Sequence, residues 1–237
     1  MLILAFDSTA KAASVALSDD GRILAEYTVD NGLTQSELLL PMAESLLSSL
    51  KLSFSDVDAY AAATGPGSFT GVRIGASLVK GLAFGRSIPC IEVSTLEALA
   101  ENLAPLPGLL VPCMDARRAQ VYNAVFRIVD GELCRQTPDR AISLDSLADE
   151  LQDSREPIYL SGDGAAIAKR HLEARGIKTA NTPELLINQN AASVAKVAYR
   201  KYLRGEWTCD EKFAPSYLRL PQAERERLER EASQKNN

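Results

Sequence analysis

Two aspartates and two glycine loops are the residues of this chain whose types and spacing could do chemistry. Asp7 closes the apolar run 2–6, and Asp115 closes a second such run, 109–114. A pair of carboxylates at buried strand ends, facing one cleft, can hold a metal–nucleotide and order its phosphates. Gly65-Pro66-Gly67 precedes one helical pattern and Ser161-Gly162-Asp163-Gly164 another, so each could present backbone N–H groups to an anion. Taken singly, each glycine motif is better explained as a tight strand-to-turn transition. The ordered set of four is more specific than any member.

The other reactive residue types offer less. The single histidine, His171, sits among Lys169, Arg170 and Arg175 in a predicted surface helix. One imidazole cannot make a His-pair metal site, and no nucleophile-elbow pattern accompanies it. The four cysteines, Cys90, Cys113, Cys134 and Cys209, show no C-x-x-C spacing, which predicts buried thiols in a reducing compartment rather than a disulfide framework or zinc site. No catalytic constellation emerges, and no cofactor is expected. A net charge of -5 argues against a protein whose main affinity comes from gripping nucleic-acid phosphates.

The elements that must position these residues are those of an α/β protein. With 237 residues, 46% of them hydrophobic, the chain can bury a real core in one large domain or two small ones. The N-terminal MLILAFDST lacks a basic region and reads as a strand, not a signal peptide. No apolar run approaches the roughly 20 residues that span a bilayer. The cytoplasm is the expected location.

Strands are predicted over 2–6, 14–17 and 23–29, with Asp20-Gly21 as a hairpin turn between the last two. Thr34-x-x-Glu37 is a capping box that opens a helix to about Leu50, with Pro41 expected to kink it or start a second one. A strand over 58–64 feeds the Gly-Pro-Gly loop and a helix over 69–84; a strand at 91–93 and a helix to Leu103 follow. The stretch APLPG at 104–108 marks a domain boundary. Beyond it come strands at 109–114, 120–129 and 132–136, with a second Asp-Gly turn at Asp130-Gly131. A helix at 144–151, a strand at 158–160, the second glycine turn and a helix to about Arg175 complete the series. The repeated order implies an internal duplication. A short strand near Ile177 and a helix over 190–203 end the ordered pattern. The predicted domains are a first lobe, 1–104, a second lobe, 105–221, whose terminal segment can pack back on the first, and a charged tail, 222–237. That tail holds four glutamates against three arginines and one lysine, and reads as a solvated helix.

At this point the chain resembles the actin/sugar-kinase/heat-shock ATPase (ASKHA) superfamily, and within it the TsaB (YeaZ-type) family of tRNA threonylcarbamoyladenosine biosynthesis proteins. The motifs that carry the likeness are ILAFDSTAKAASVAL, ATGPGSFTGVRIG, VPCMDARRAQVYNAVF, SGDG and PSYLRL, spread over nearly the whole chain. The resemblance implies a bilobal fold of two duplicated ribonuclease-H-like domains. It also implies a degenerate cleft at Asp7, Ser8, Gly65, Gly67, Asp115 and Gly162. The related catalytic family, TsaD, shares the first two motifs and binds a metal through two histidines and an aspartate. Those positions fall here on Thr95, Leu99 and Gln189, which cannot replace two imidazoles and a carboxylate.

The helix over 69–84 is apolar on more than one side, and its glycines are expensive. Gly71, Gly75 and Gly81 together forfeit roughly 3 kcal/mol of helix propensity relative to alanine. Val72, Ala76, Val79 and Ala83 form one stripe, and Gly71, Gly75, Leu78 and Leu82 a second. The preceding helix is similarly apolar. Periodicity alone leaves open whether the two helices cover only each other or form half of a bundle completed by another protein. The resemblance favours the second, with Leu39, Met42, Leu46, Gly71, Gly75, Leu78 and Leu82 as the interface. The expected protein is a catalytically silent scaffold that pairs with TsaD, joins TsaE in a larger complex, can self-associate through the same surface, and meets tRNA only indirectly. The rival readings are an ASKHA-type ATPase or small-molecule kinase using Asp7 and Asp115, and a glycoprotease-like peptidase.

Overall fold

A computed structural model describes residues 1–219 of the chain. The first sheet has the order β3-β2-β1-β4-β5, formed by β1 (Leu2–Asp7), β2 (Ala13–Asp19), β3 (Arg22–Val29), β4 (Ala59–Gly65) and β5 (Cys90–Ser94). The first three strands run as an antiparallel meander, and β4 and β5 lie parallel to β1. This is the ribonuclease-H-like arrangement. Helices cover both faces, which is why β1 and β4 read as continuous apolar runs rather than alternating ones. Leu4, Phe6, Tyr60 and Ala62 face α1 (Gln35–Ser49) and α2 (Phe69–Ala83). Ile3, Ala5, Ala59, Ala61 and Ala63 face α6 (Ala191–Leu203) on the other side.

The second sheet repeats this plan with one strand more, six in all. Its centre is β6 (Leu109–Asp115), antiparallel to β7 (Gln120–Asn123) and β8 (Phe126–Val129) and parallel to β11 (Ile158–Ser161). The single strand predicted over 120–129 is interrupted at Ala124-Val125. There Val125 turns its carbonyl to the Gln136 and Thr137 amides and its own N–H to the Thr137 hydroxyl. The two halves pair with β10 (Arg140–Ser143) and β9 (Glu132–Arg135) respectively. α4 (Leu144–Leu151) and α5 (Ala165–Ala174) bury one face of this sheet. The strand expected near Ile177 does not form: Ile177 packs as a plug in that core. Both Asp-Gly turns take left-handed values at both residues, φ 47° and 79° at Asp20-Gly21 and 53° and 83° at Asp130-Gly131. These are the values a two-residue hairpin needs to match strand twist.

The lobes are joined by their last helices. α3 (Thr95–Leu103), capped by Ser94, turns Leu96, Leu99 and Leu103 toward Leu110, Met114 and Phe126 of the second lobe. α6, assigned by sequence to the second lobe, packs instead across the first sheet. Its first turn is held there, as Ser14 Oγ and the Glu26 carboxylate accept the Ala191 and Ala192 amides at 2.9 and 3.1 Å. Pro41 starts no second helix. It lies on the solvent side of the one helix Gln35–Ser49, where the carbonyl it leaves unpaired can meet water. The charged tail lies outside the described residues. Among those that are described, no helix is long and apolar enough to cross a membrane.

Candidate functional site

A cleft of about 540 Å³ separates the lobes. Its first-lobe wall is the turn after β1 and the loop from Pro66 into α2; its second-lobe wall is the turn after β6, with Asp163 beside it. The two duplicated aspartates make the same local bond: Asp7 Oδ1 accepts the Thr9 amide at 2.9 Å, and Asp115 Oδ1 accepts the Arg117 amide at 2.8 Å. Each is an Asx turn that closes a central strand.

Their surroundings then diverge. Asp7 is only 2% exposed and does not line the cleft. Its Oδ1 also accepts the Thr9 hydroxyl at 2.7 Å, while Oδ2 is buried with no partner. Burial, only partly offset by the Thr9 bonds, pushes its carboxyl up to about 6. Asp115 does reach the cleft, where it pairs with Arg117 at 3.2 Å and donates its amide to Asp163 Oδ1 at 2.9 Å. Burial, with Asp115 nearby, holds the Asp163 carboxyl above the usual range.

The glycine loops are closed by the chain's own backbone. A Cβ at Gly65 would lie 2.5 Å from the Ser216 carbonyl oxygen, and one at Gly67 would lie 2.6 Å from that of Thr9. At Gly162 a Cβ would overlap the Cys113 carbonyl. Three of the loop N–H groups are already donated: Ser68 to Thr9 O at 2.8 Å, Gly162 to Ile187 O at 2.6 Å, and Gly164 to Cys113 O at 2.9 Å. Of the six residues expected in the cleft, Gly67 and Asp115 line it. Asp7, Ser8, Gly65 and Gly162 are packed beneath it. These loops do not fit a phosphate cradle.

The three positions that the resemblance sets against metal ligands, Thr95, Leu99 and Gln189, carry neither an imidazole nor a carboxylate. Thr95 and Leu99 are buried on α3, and Leu99 packs in one apolar cluster with Met114. The Gln189 amide donates to Met114 Sδ at 2.7 Å. Among the described residues no group of three or more His, Cys, Asp or Glu is arranged to hold a metal ion. His171 contacts Asp145 at 2.9 Å in the second lobe, away from the cleft.

A second concavity, about 440 Å³, runs between α1 and α2. Its walls are Leu39, Leu40, Ile74 and Leu78, with Phe69 and Arg73 at one end and Ser36, Thr70 and Ser77 on its rim. Of the seven interface residues expected from sequence, only Leu39 and Leu78 line this groove. Met42 and Leu46 are in the lobe's own core, and Leu39 exposes only 1% of its surface. Gly71 and Gly75 point at Ser8: a Cβ at Gly71 would overlap the Ser8 carbonyl, and one at Gly75 would sit 2.8 Å from its hydroxyl. The small-residue stripe therefore admits the turn after β1, not another helix. Gly81 meets nothing within 4 Å. Leu78 and Leu82 are half-buried, and of the two only Leu78 lines the groove. The interface expected from sequence left out Leu40, Ile74 and Phe69, because periodicity marks the apolar arc of a helix but not which edge of it stays uncovered. Ser216–Arg219 stand out in the sequence only as part of the PSYLRL motif; their place in the cleft was not expected, because the stretch has no periodicity.

The family described as "TsaD: tRNA N6-adenosine threonylcarbamoyltransferase" matches residues 34–227. The tRNA threonylcarbamoyladenosine biosynthesis protein TsaB of Bacillus subtilis (strain 168) is 32% identical over 230 residues, covering 97% of this chain and 99% of that protein. TsaB of Escherichia coli (strain K12) is 39% identical over 129 residues, covering 54% of this chain and 55% of that protein. The solved structure of YeaZ from Pseudomonas aeruginosa superimposes with a TM-score of 0.76 at 28% identity, over 92% of this chain and 99% of that one.

Proposed function

Because the chain belongs to the TsaB family of tRNA threonylcarbamoyladenosine biosynthesis proteins, we propose that it is a non-catalytic subunit that pairs with TsaD through the α1–α2 groove. The observation that carries this reading is the groove: an open apolar surface on a lobe whose phosphate-type loops are filled by its own backbone. TsaD supplies the transfer of threonylcarbamoyl to the tRNA adenosine beside the anticodon, and TsaE joins as the ATPase. This chain holds TsaD in its working form and touches tRNA only through the assembly, in the cytoplasm. In the absence of TsaD the same groove pairs two copies of the chain.

The reading is tested by purifying the chain with its cognate TsaD and measuring association and tRNA modification. Full modification by TsaD and TsaE without this chain would overturn it. The groove is tested by Leu40→Glu and Ile74→Glu. Leu40 is already 38% exposed, so a charge there leaves the lobe folded. Each variant is expected to weaken TsaD binding at least tenfold, about 1.4 kcal/mol, and Leu40→Glu to do so with an unchanged melting temperature; Ile74 also packs against the first-lobe core, so a charge there lowers the melting temperature as well. Unchanged affinity would place the interface elsewhere. The ATPase or kinase reading is opposed by the burial of Asp7 and by the closed loops; calorimetry with ATP decides it.

A further inference from the structure

After α6 the chain doubles back along the first lobe and then leaves it. Thr208 forms an antiparallel bridge with Cys90 on β5, and Phe213 is buried in the first-lobe core. Lys80 Nζ donates to the carbonyls of Glu211 and Phe213 at 3.0 and 3.1 Å, and the Ser216 amide donates to Thr64 O at 2.8 Å. Three residues on, the chain grips the second lobe. The Arg219 guanidinium donates to Ala116 O at 3.3 Å and to Gln120 Oε1, and lies 5.6 Å from the Tyr122 ring. Between these anchors Tyr217 packs on Phe69, ring centroids 5.2 Å apart, and its hydroxyl accepts from Arg73 Nε at 2.8 Å.

We propose that Ser216–Arg219 is an interlobe latch that fixes the closure of the cleft and couples it to the α1–α2 groove. Three observations carry this. First, the two acceptors of Arg219 flank a turn in which Arg117, Arg118 and Ala119 all take left-handed values, φ 64°, 54° and 55°. Side-chained residues enter that region uphill, and three in succession call for an external anchor. Second, α3 packs against both lobes, and Ser216–Arg219 lines the cleft between them, tied to the first lobe through Ser216 and to the second through Arg219. Third, one wall is shared: Phe69 lines both the cleft and the groove, Tyr217 lines the cleft, and Arg73 lines the groove. Rotation of the lobes pulls on Arg219, shifts Tyr217 and so moves Arg73 at the groove. By reciprocity, an occupant of the groove that draws Arg73 from Tyr217 loosens the latch.

This inference rests on the proposed function only for the identity of the groove's occupant, and its test needs no partner. Amide hydrogen exchange is measured on the full chain as wild type, Arg219→Ala and Tyr217→Phe. Loss of a charge-assisted hydrogen bond from Arg219 should speed exchange of the hydrogen-bonded amides of Ala116, Arg117 and Gln120 by about tenfold. The amides of Gly71 and Val72 at the groove end of α2 should speed up as well. Tyr217→Phe, which keeps the ring and removes the hydroxyl, should alter both regions with the fold intact. Unchanged exchange at 116–120 in Arg219→Ala overturns the latch. A change there with none at Gly71 and Val72 in either variant overturns the coupling.

Discussion

Gly71→Ala is expected to cost the first lobe at least about 3 kcal/mol and to lower the melting temperature by roughly 10 °C. A Cβ at this position overlaps the Ser8 carbonyl oxygen, which is backbone and cannot swing aside as a side chain would. Nor can the turn retreat. Ser8 is buried, its hydroxyl donates to Gly71 O at 2.8 Å, and the residues on either side are tied together by the Asp7–Thr9 bonds. A penalty of that size is a large share of the 5–15 kcal/mol that typically separates folded from unfolded domains. Gly81→Ala is the matched control. Nothing lies within 4 Å, so the change should recover helix propensity and stabilise by up to about 1 kcal/mol. Urea unfolding of both variants decides between the two origins of the glycines. Had Gly71 been kept for a partner helix, Gly71→Ala would fold normally and lose only binding.

The contrast among these glycines shows what was legible in the sequence. That a helix runs from Phe69 with an apolar arc could be read from periodicity and from the Gly-Pro-Gly loop before it. So could the capping box at Thr34–Glu37 and the paired Asp-Gly turns, which are local signals with local causes. What each glycine faces could not be read, because the neighbour comes from a turn 63 positions away in the chain. The same limit applies to the cleft. Asp7 and Asp115 look equivalent in sequence and make equivalent Asx turns, yet one is buried and the other faces the cleft. That difference is set by α2 packing over the turn after β1, a tertiary fact. Gly65 is the clearest instance: its motif invites a phosphate, and the space it opens is taken by Ser216, from the far end of the described chain. Helix exchange between the lobes was beyond periodicity for the same reason, since α6 carries an apolar face without naming the sheet that receives it.

Asp7→Asn is expected to make the protein more stable at neutral pH, by about 2 kcal/mol. The sign follows from the direction of the shift. The ordinary value of 3.8 rises to about 6 in the folded state, so the native protein binds this proton more tightly than the unfolded chain does. Stability from Asp7 is therefore greatest below pH 4, falls as pH rises from about 4 to about 6, and stays low above that; the full difference is about 3 kcal/mol. Asparagine removes the charge and keeps an oxygen for both Thr9 bonds, at the cost of an unpartnered amide where Oδ2 now sits. Thermal unfolding across pH 4–7 should show the variant gaining on the wild type through that window. Subtracting the two curves removes the parallel contribution of Asp163, whose carboxyl is also raised. A variant less stable than wild type at pH 7, or with the same slope, would mean that Asp7 is charged and well solvated in the folded protein. The ATPase reading needs that ionised, accessible carboxylate, and it predicts ATP binding that the variant loses. For a scaffold, neither protein binds ATP, and the substitution is visible only in stability.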